Sequence, residues 1–395
     1  MSGRLVVMTR GLPHHHVGGM ESVAWDLSRA LATGSAVTVL TTALPARASA
    51  PGHTFAQDGV DVRALPGTAP GRYSRAWWGA SRRALAELLD EGPVAGVLSV
   101  SAAAFGCLDL PAAAGTRLVL QAHGTSLTEL RSKLERRSLR STASTARNAV
   151  GLVRDLRSYR RFDAVVAVGP SVAESFTSFP LSRFGRVPRL LTIANGVDTS
   201  VFHRDDRAAA RVRRRLGVPA SARVLLVAGR LHEQKRVDRV LRCLHELAGA
   251  RPDLDPHLVI AGEGPEERRL RGLAAALDLS PRVRFTGALE REDLAAHCSA
   301  ADLSVLASQR REVGLTMSVL ESLACGTPAL VPLSTAGTDD APDAVTRVDT
   351  SDARATATAA AAVLDRGHPA GSLLPGRYEL RRVAHEYDQL LRGTR

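Results

Sequence analysis

Arg230 and Lys235 stand in the segment Val227-Ala-Gly-Arg-Leu-His-Glu-Gln-Lys-Arg-Val-Asp238. The apolar run before them reads as a strand ending at Gly229, and the spacing after them as a helix. Two fixed cations on that loop and first helical turn make a strong anion site, worth most for a diphosphate with little else to neutralise it. It is not a P-loop, because G-x-x-x-x-G-K-[ST] is absent. Lysine is rare in this chain: Lys133 and Lys235 are the only two among 52 Lys and Arg. One of them falling here favours function over chance.

A second segment, Glu312-Val-Gly-Leu-Thr-Met-Ser-Val-Leu-Glu-Ser-Leu-Ala-Cys-Gly-Thr-Pro328, reads as a polar loop running into a helix. Gly326 stops that helix and Pro328 lies beyond it. The free amides of Gly314, Leu315 and Thr316 are expected to face the same cleft as Arg230 and Lys235. Glu321, on the helix, is suited to the two vicinal hydroxyls of a ribose, since a carboxylate accepts two donors at once.

The elements that must position these groups follow from the apolar pattern. The chain has 395 residues, 45% hydrophobic and 23% charged, which excludes a disordered or fibrous protein and suggests two domains. No apolar run reaches about 18 residues and the first residues do not read as a signal peptide, so a soluble, cytoplasmic protein is expected. Strands are expected at 5–8, 36–41, 94–100, 117–121, 164–168 and 190–193, with helices between them. The pattern restarts with strands at 224–228, 258–261, 282–286 and 303–306. Two such arrays imply two doubly wound parallel sheets, whose ligands bind outside the carboxyl ends of the strands.

The net charge of +12 calls for an anionic partner. Ten Arg and Lys against three acids fall in residues 129–161, on amphipathic helical spacing. That segment reads as a solvated basic helix or as a surface for anionic membrane. Nucleic acid is disfavoured, because no aromatics are interleaved and no nucleic-acid motif is present. The four cysteines have no C-x-x-C spacing, so neither a zinc site nor a disulfide framework is expected, and small buried hydrophobes are.

The pairing of G-R-x-x-x-x-K with a Glu-bearing helix ending C-G-T-P resembles the family 4 glycosyltransferases. His16-Val-Gly-Gly-Met-Glu21, His123-Gly124, Asn195-Gly-Val-Asp198 and Ala261-Gly-Glu-Gly-Pro265 agree with it, over about residues 5 to 330. The resemblance implies the GT-B fold, two Rossmann-like α/β domains facing across a cleft. The domains expected are 1–190 for the acceptor, 191–373 for the nucleotide-sugar donor, and a helix in 374–395 crossing back to the first.

It further implies that Arg230 and Lys235 hold the donor diphosphate, that Glu321 binds the ribose, and that Gly18 and Gly19 approach the diphosphate from the opposite domain. His123 would sit beside the reacting sugar, and transfer would be retaining, without metal or other cofactor. One departure stands out. The family has a Glu eight residues before the ribose-binding one, and Val313 occupies that position. Either Glu312 takes over the sugar contact or the contact is lost, and Glu312 is the expected replacement. The family's G-G-x-x-E is also missing, with Ala336-Gly-Thr-Asp-Asp340 in its place.

Other segments carry weaker signals. His14-His15-His16 reads as a loop touching acceptor or donor rather than a metal tract. Asp253-Leu-Asp255 matches a D-x-D metal motif but sits in a proline-flanked loop. Gly262-Glu-Gly264 opens like a dinucleotide fingerprint whose third glycine is missing. Tyr73, Trp77, Trp78 and Arg72 form either core packing or an acceptor platform, and His16, Glu21, Tyr73 and Trp77 are the candidate acceptor contacts. The expected activity is hexosyl transfer from a nucleotide-sugar, UDP first and GDP second. The acceptor would be a small molecule or lipid-linked, in natural-product (antibiotic) or cell-envelope glycoside synthesis. A GT-B nucleotide-sugar epimerase and a non-catalytic sugar-nucleotide-binding protein are the alternatives.

Overall fold

Arg4–Met8 (β1) opens a series of short apolar runs in which nearly every side chain is buried. Strands covered on both faces need this continuous apolar pattern rather than alternation. The computed structural model describes residues 3–15, 18–45, 53–110, 115–124, 151, 153–179, 181–184, 187–309, 312–367 and 371–394. These divide into two units, Met1–Gly196 with Leu380–Arg395, and Val197–Glu379.

The first unit's sheet adds to β1 the strands Val37–Thr42 (β2), His53–Gln57 (β3), Val60–Leu65 (β4), Val94–Val100 (β5), Arg117–Ala122 (β6), Ala164–Ala167 (β7) and Leu190–Thr192 (β8). Their order is β3-β4-β2-β1-β5-β6-β7-β8. Neighbours run parallel except β3 and β4, a hairpin closed by Asp58-Gly59 with φ of 52° and 79°. Both turn residues being left-handed is what a two-residue hairpin turn of this hand requires. Helices Gly19–Ala32 (α1), Arg75–Glu91 (α2) and Pro170–Thr177 (α3) lie between the strands in sequence. Of the basic 129–161 segment, residues 129–150 and 152 lie outside the described residues, and 153–159 are helical.

The second unit begins with Asp206–Arg215 (α4), capped by the Asp205 side chain accepting from the Ala208 amide. Its sheet comprises Val224–Ala228 (β9), His257–Ala261 (β10), Val283–Gly287 (β11), Leu303–Val305 (β12), Ala329–Pro332 (β13) and Val345–Val348 (β14). All pairs are parallel, in the order β11-β10-β9-β12-β13-β14. The connecting helices are Val237–Ala250 (α5), Glu267–Ala276 (α6), Arg291–Ala300 (α7), Met317–Ala324 (α8) and Ala353–Asp365 (α9). This is the Rossmann order, in which the sheet reverses direction of growth between its first and fourth strands, here β9 and β12.

The chain leaves the second unit as it entered it: Val197 donates to the Tyr378 carbonyl at 2.8 Å, and Val197 and Glu379 form a β-bridge. The following helix, Leu380–Arg392 (α10), occupies the later part of the expected 374–395 segment, because Gly376–Tyr378 is a separate 3-10 turn. It buries Leu380, Val383, Ala384, Tyr387, Leu390 and Leu391 on one face. That face completes the first unit's core with Leu5, Val7, Leu27, Val39, Leu98 and Val119. Among the described residues no helix is long and apolar enough to cross a membrane.

Candidate functional site

In the second unit, the loops leaving β9 and β12 emerge where the sheet order reverses, the place at which doubly wound sheets bind ligands. The β9 loop is built on backbone. Gly229 donates to the Ala261 carbonyl at 2.9 Å and Leu231 to the Glu263 carbonyl at 2.8 Å, while Glu266 donates back to Leu231 at 3.1 Å. A Cβ at Gly262 would collide with the Gly229 carbonyl, and one at Gly264 with the Leu231 carbonyl. The two glycines of Ala261-Gly-Glu-Gly-Pro265 therefore serve close approach of one loop to another.

On that bed Arg230 is exposed and Leu231 fully buried, so the loop is pinned beside its cation. Glu233–Lys235 is a 3-10 turn, and Arg236 in the left-handed region leads into α5. Lys235 Nζ reaches Glu312 Oε1 at 2.9 Å, both side chains partly exposed. The Gln309 amide donates to the Gln234 carbonyl at 2.9 Å, and the Ser308 hydroxyl to the same carbonyl at 3.4 Å. The two loops expected to share a ligand are thus tied together, with Glu312 and Lys235 at the tie.

Beyond Glu312, the backbone carries Gly314 and Leu315, both buried, into α8. Thr316 is the N-cap residue, but its hydroxyl pairs with Ser318 Oγ at 3.1 Å and caps no amide. Among the described residues, no hydrogen bond is made by the amides of Gly314, Leu315 and Thr316. Such donors at a helix N-terminus suit an anion. Glu321 lies half-buried in the second turn of α8.

The Ala336–Asp340 loop comes next to this point. At Gly337, whose φ is 79°, a Cβ would stand 3.9 Å from the Leu315 nitrogen, and 3.7 Å from both Asp340 Oδ2 and the Tyr378 hydroxyl. Tyr378 donates to Asp340 at 2.6 Å, and Arg377 pairs with the same carboxylate. Sequence reasoning missed this trio. It assigned Arg377 and Tyr378 to the closing helix, and only the paired acids Asp339-Asp340 hinted at a polar cluster.

In the first unit, His123 follows β6 and its Nε2 lies 3.0 Å from Gln121 Oε1. Gln121 Nε2 in turn donates to the Tyr387 hydroxyl at 3.0 Å. Desolvation, helped by the Arg10 charge, pushes the His123 pKa down to about 4, so the ring is neutral at pH 7. Gly18 is the N-cap residue of α1, and a Cβ at Gly19 would meet nothing within 4 Å, leaving the backbone open to approach. Glu21, in the first turn, is buried against Gly11.

One expected acceptor contact is corrected, and a second is engaged by backbone. Trp77 is fully buried, with Nε1 donating to the Ala103 carbonyl at 2.9 Å, so it is core and not a platform. Tyr73 spends its hydroxyl donating to the Val100 carbonyl at 2.6 Å and accepting from the Arg10 amide at 3.2 Å. Its phenol therefore ties the ends of β1 and β5 together. His15 Nδ1 accepts from the Leu12 amide, and His14 packs edge-on to Trp25 and Phe55, while His16 lies outside the described residues. Asp253 and Asp255 are engaged by Arg251 and Arg282. All four cysteines are free and buried, with Cys107 and Cys243 pushed up to about 12 by burial.

Comparison with known proteins accords with this arrangement. The family profile "Glycosyltransferase Family 4" matches residues 17–201, and "Glycosyl transferases group 1" matches residues 209–341. A D-inositol 3-phosphate glycosyltransferase of Thermobispora bispora is 39% identical over 149 residues, 36% of this chain and 34% of that protein. A GDP-mannose-dependent alpha-(1-6)-phosphatidylinositol dimannoside mannosyltransferase of Mycobacterium tuberculosis is 38% identical over 167 residues, 41% of each chain. The matches thus span between a third and about two fifths of those relatives' length.

Among solved structures, sucrose-phosphate synthase of Thermosynechococcus elongatus superposes with a TM-score of 0.67 at 17% identity, covering 99% of this chain and 95% of that one. Anabaena HepE in complex with UDP-glucose superposes at 0.68 and 16% identity, covering 99% and 95%. At such identities the likeness is one of fold. Two Rossmann-like units, a cationic loop at the second unit's switch point and two adjoining family profiles together assign the chain to the family 4 glycosyltransferases of GT-B fold.

Proposed function

We propose that the chain transfers a hexosyl unit from a nucleoside-diphosphate sugar to an acceptor hydroxyl, with retention and without a metal. The observation that supports this is the tie between the β9 and β12 loops, made by the Lys235–Glu312 pair and the Gln309–Gln234 hydrogen bond, on two loops that also carry Arg230 and the Gly314–Thr316 amides. Fixed cations and oriented amides stabilise charge that develops on a leaving diphosphate, and in a desolvated site this is the largest catalytic contribution. Glu321 holds the ribose and Glu312 touches the sugar. The first unit takes the acceptor, with the neutral ring of His123 and the open backbone of Gly18 and Gly19 as its contacts to substrate.

An inositol-type polyol, phosphorylated or lipid-linked, is the acceptor class proposed. Two relatives are named for such acceptors, and a chain of net charge +12 attracts anions. The donor nucleotide is GDP or UDP: a relative is named as GDP-mannose-dependent, and a structural neighbour holds UDP-glucose.

Thermal unfolding with GDP, UDP and ADP, each repeated on Lys235→Ala, tests the donor site. At about 100 times the dissociation constant, a bound nucleotide adds roughly 2.7 kcal/mol. Stabilisation by one nucleotide that shrinks in the variant is expected, and no stabilisation by any of them overturns the reading. Prolonged dialysis against EDTA is expected to leave sugar transfer unchanged. Lost transfer restored by a divalent ion would refute metal independence.

A further inference from the structure

The first unit has a reversal point of its own, between β1 and β5, from which the sheet grows to β2 and β4 one way and to β6 the other. Ligands of doubly wound sheets bind beyond the carboxyl ends of such strands. β1, β5 and β6 end almost level there, with Met8 beside Ser99 and Val100 beside Gln121. Arg10, Ser101 and His123 follow within two residues of the three ends.

Arg10 is fixed by its backbone. Its amide donates to the Tyr73 hydroxyl at 3.2 Å and its carbonyl accepts from Thr42 Oγ1 at 2.6 Å. Tyr73 donates onward to the Val100 carbonyl, which sets Arg10 beside Ser101. The Arg10 side chain is partly buried, yet it forms no ion pair among the described residues, although Glu21 packs against the adjacent Gly11. Its charge acts on both the Tyr73 phenol and the His123 ring, so the guanidinium lies near both. Buried cations are ordinarily paired, and the fork of a guanidinium matches the oxygens of a phosphate. Ser101 stands in the left-handed region at φ 53°, a strained conformation for serine. Ser99 Oγ holds it there, donating to the Ser101 carbonyl at 2.7 Å and accepting from the Ala104 amide at 2.9 Å. The Ser101 hydroxyl itself makes no hydrogen bond among the described residues. A turn that needed only this shape would be better served by glycine.

We infer that Arg10 and Ser101 form a phosphate subsite in the first unit, Arg10 pairing with the phosphate oxygens and Ser101 donating its hydroxyl, and that the acceptor is a phosphorylated polyol. The substrate half of this rests on the first unit taking the acceptor, and the binding half does not. A free phosphomonoester and the phosphodiester of a lipid headgroup present the same oxygens to a guanidinium.

Calorimetric titration of the full chain, with and without GDP or UDP, compares D-myo-inositol 3-phosphate, glycerophosphoinositol and free myo-inositol. Inositol phosphate should bind better than inositol, and Arg10→Gln should weaken it roughly 10-fold to 100-fold, the span of one lost charge-assisted bond. Arg10→Lys, which keeps the charge without the fork, should recover part of that loss. Nucleotide stabilisation, set in the second unit, should not change. No binding of either phosphate, equal affinity in Arg10→Gln, or an equal loss with free inositol overturns the subsite. The same Arg10 dependence with glycerophosphoinositol assigns it to a lipid-linked phosphate, and dependence confined to the monoester assigns it to a free one.

Ser101→Gly separates binding from folding. Glycine suits φ 53°, so the variant should melt at or above the parent temperature while its affinity for inositol phosphate falls. Full affinity in this variant overturns the assignment of Ser101. In transfer assays, Arg10→Gln should raise KM for the phosphorylated acceptor and leave KM for the nucleotide-sugar unmoved; a rise in both counts against the subsite. Arg10-dependent phosphate binding by a protein that transfers no sugar supports the subsite and refutes only the transferase reading. Transfer to an unphosphorylated polyol, undiminished in Arg10→Gln, does the reverse.

Discussion

Glu312 and Lys235 meet at 2.9 Å with both side chains partly in water, so the pair contributes only about 0–1 kcal/mol to folding. Its worth is better measured in ligand binding. Glu312→Gln is expected to leave the melting temperature nearly unchanged, to leave nucleotide affinity equal or stronger, and to lower kcat. A large loss of stability, or an unaltered kcat, would show that Glu312 is not the sugar contact. Lys235→Ala removes a charge-assisted bond, and about 1.5–3 kcal/mol of nucleotide affinity, roughly 10-fold to 100-fold, should go with it.

His123 leaves a mark on stability as well. Its folded pKa of about 4 lies below the ordinary 6.5. Between those values the unfolded chain binds more protons, so its contribution is complete above pH 6.5 and is lost as pH falls through the window towards 4. His257 and His297, also lowered by burial, act in the same direction. Urea titrations at pH 7 and pH 5 should show a smaller drop for His123→Asn than for the parent. An equal drop would contradict the neutral ring. Lys235 stood out because lysine is scarce in the sequence, and the structure sets it against Glu312. The role of Trp77 was not, since an aromatic pair looks the same in sequence whether it faces solvent or core.

The β9 loop owes its shape to the Ala261–Pro265 segment lying directly against it. Gly264→Ala drives a methyl into the Leu231 carbonyl, so overpacking of about 1–3 kcal/mol is expected, together with weakened nucleotide binding through the displaced Arg230. Denaturant midpoints and nucleotide titration measure the two effects. Full binding in the variant would mean the loop can move without consequence. The strands flanking this loop were readable because burial on both faces leaves unbroken apolar runs such as Val224–Ala228. β13, β14 and α9 escaped notice: the two strands are only 4 residues each, and α9 is mostly alanine and threonine, which carry little periodic contrast. The β3–β4 hairpin did carry a signal, Asp58-Gly59, but His53–Gln57 is mostly exposed and too polar to stand out as a strand.

The first unit depends on a helix encoded 183 residues after its own first stretch ends at Gly196, since Val197–Glu379 intervenes before Leu380. The four buried Leu and Val side chains of α10 alone, at roughly 1.5–3 kcal/mol each, amount to about 6–12 kcal/mol, comparable with the whole stability of a domain. Deleting residues 380–395 should therefore unfold the first unit while Val197–Glu379 survives limited proteolysis as a resistant fragment. Digestion of both units at one rate would argue against separate folding.

The Val197–Glu379 bridge, with the entering and leaving segments side by side, also sets an order of events during synthesis. A ribosome releases residues 197–379 before α10, so the second unit can finish folding while the first still shows the apolar surface of β5 and β6 that α10 will cover. Released chains that end at residue 379 should carry one finished body and one that recruits chaperones.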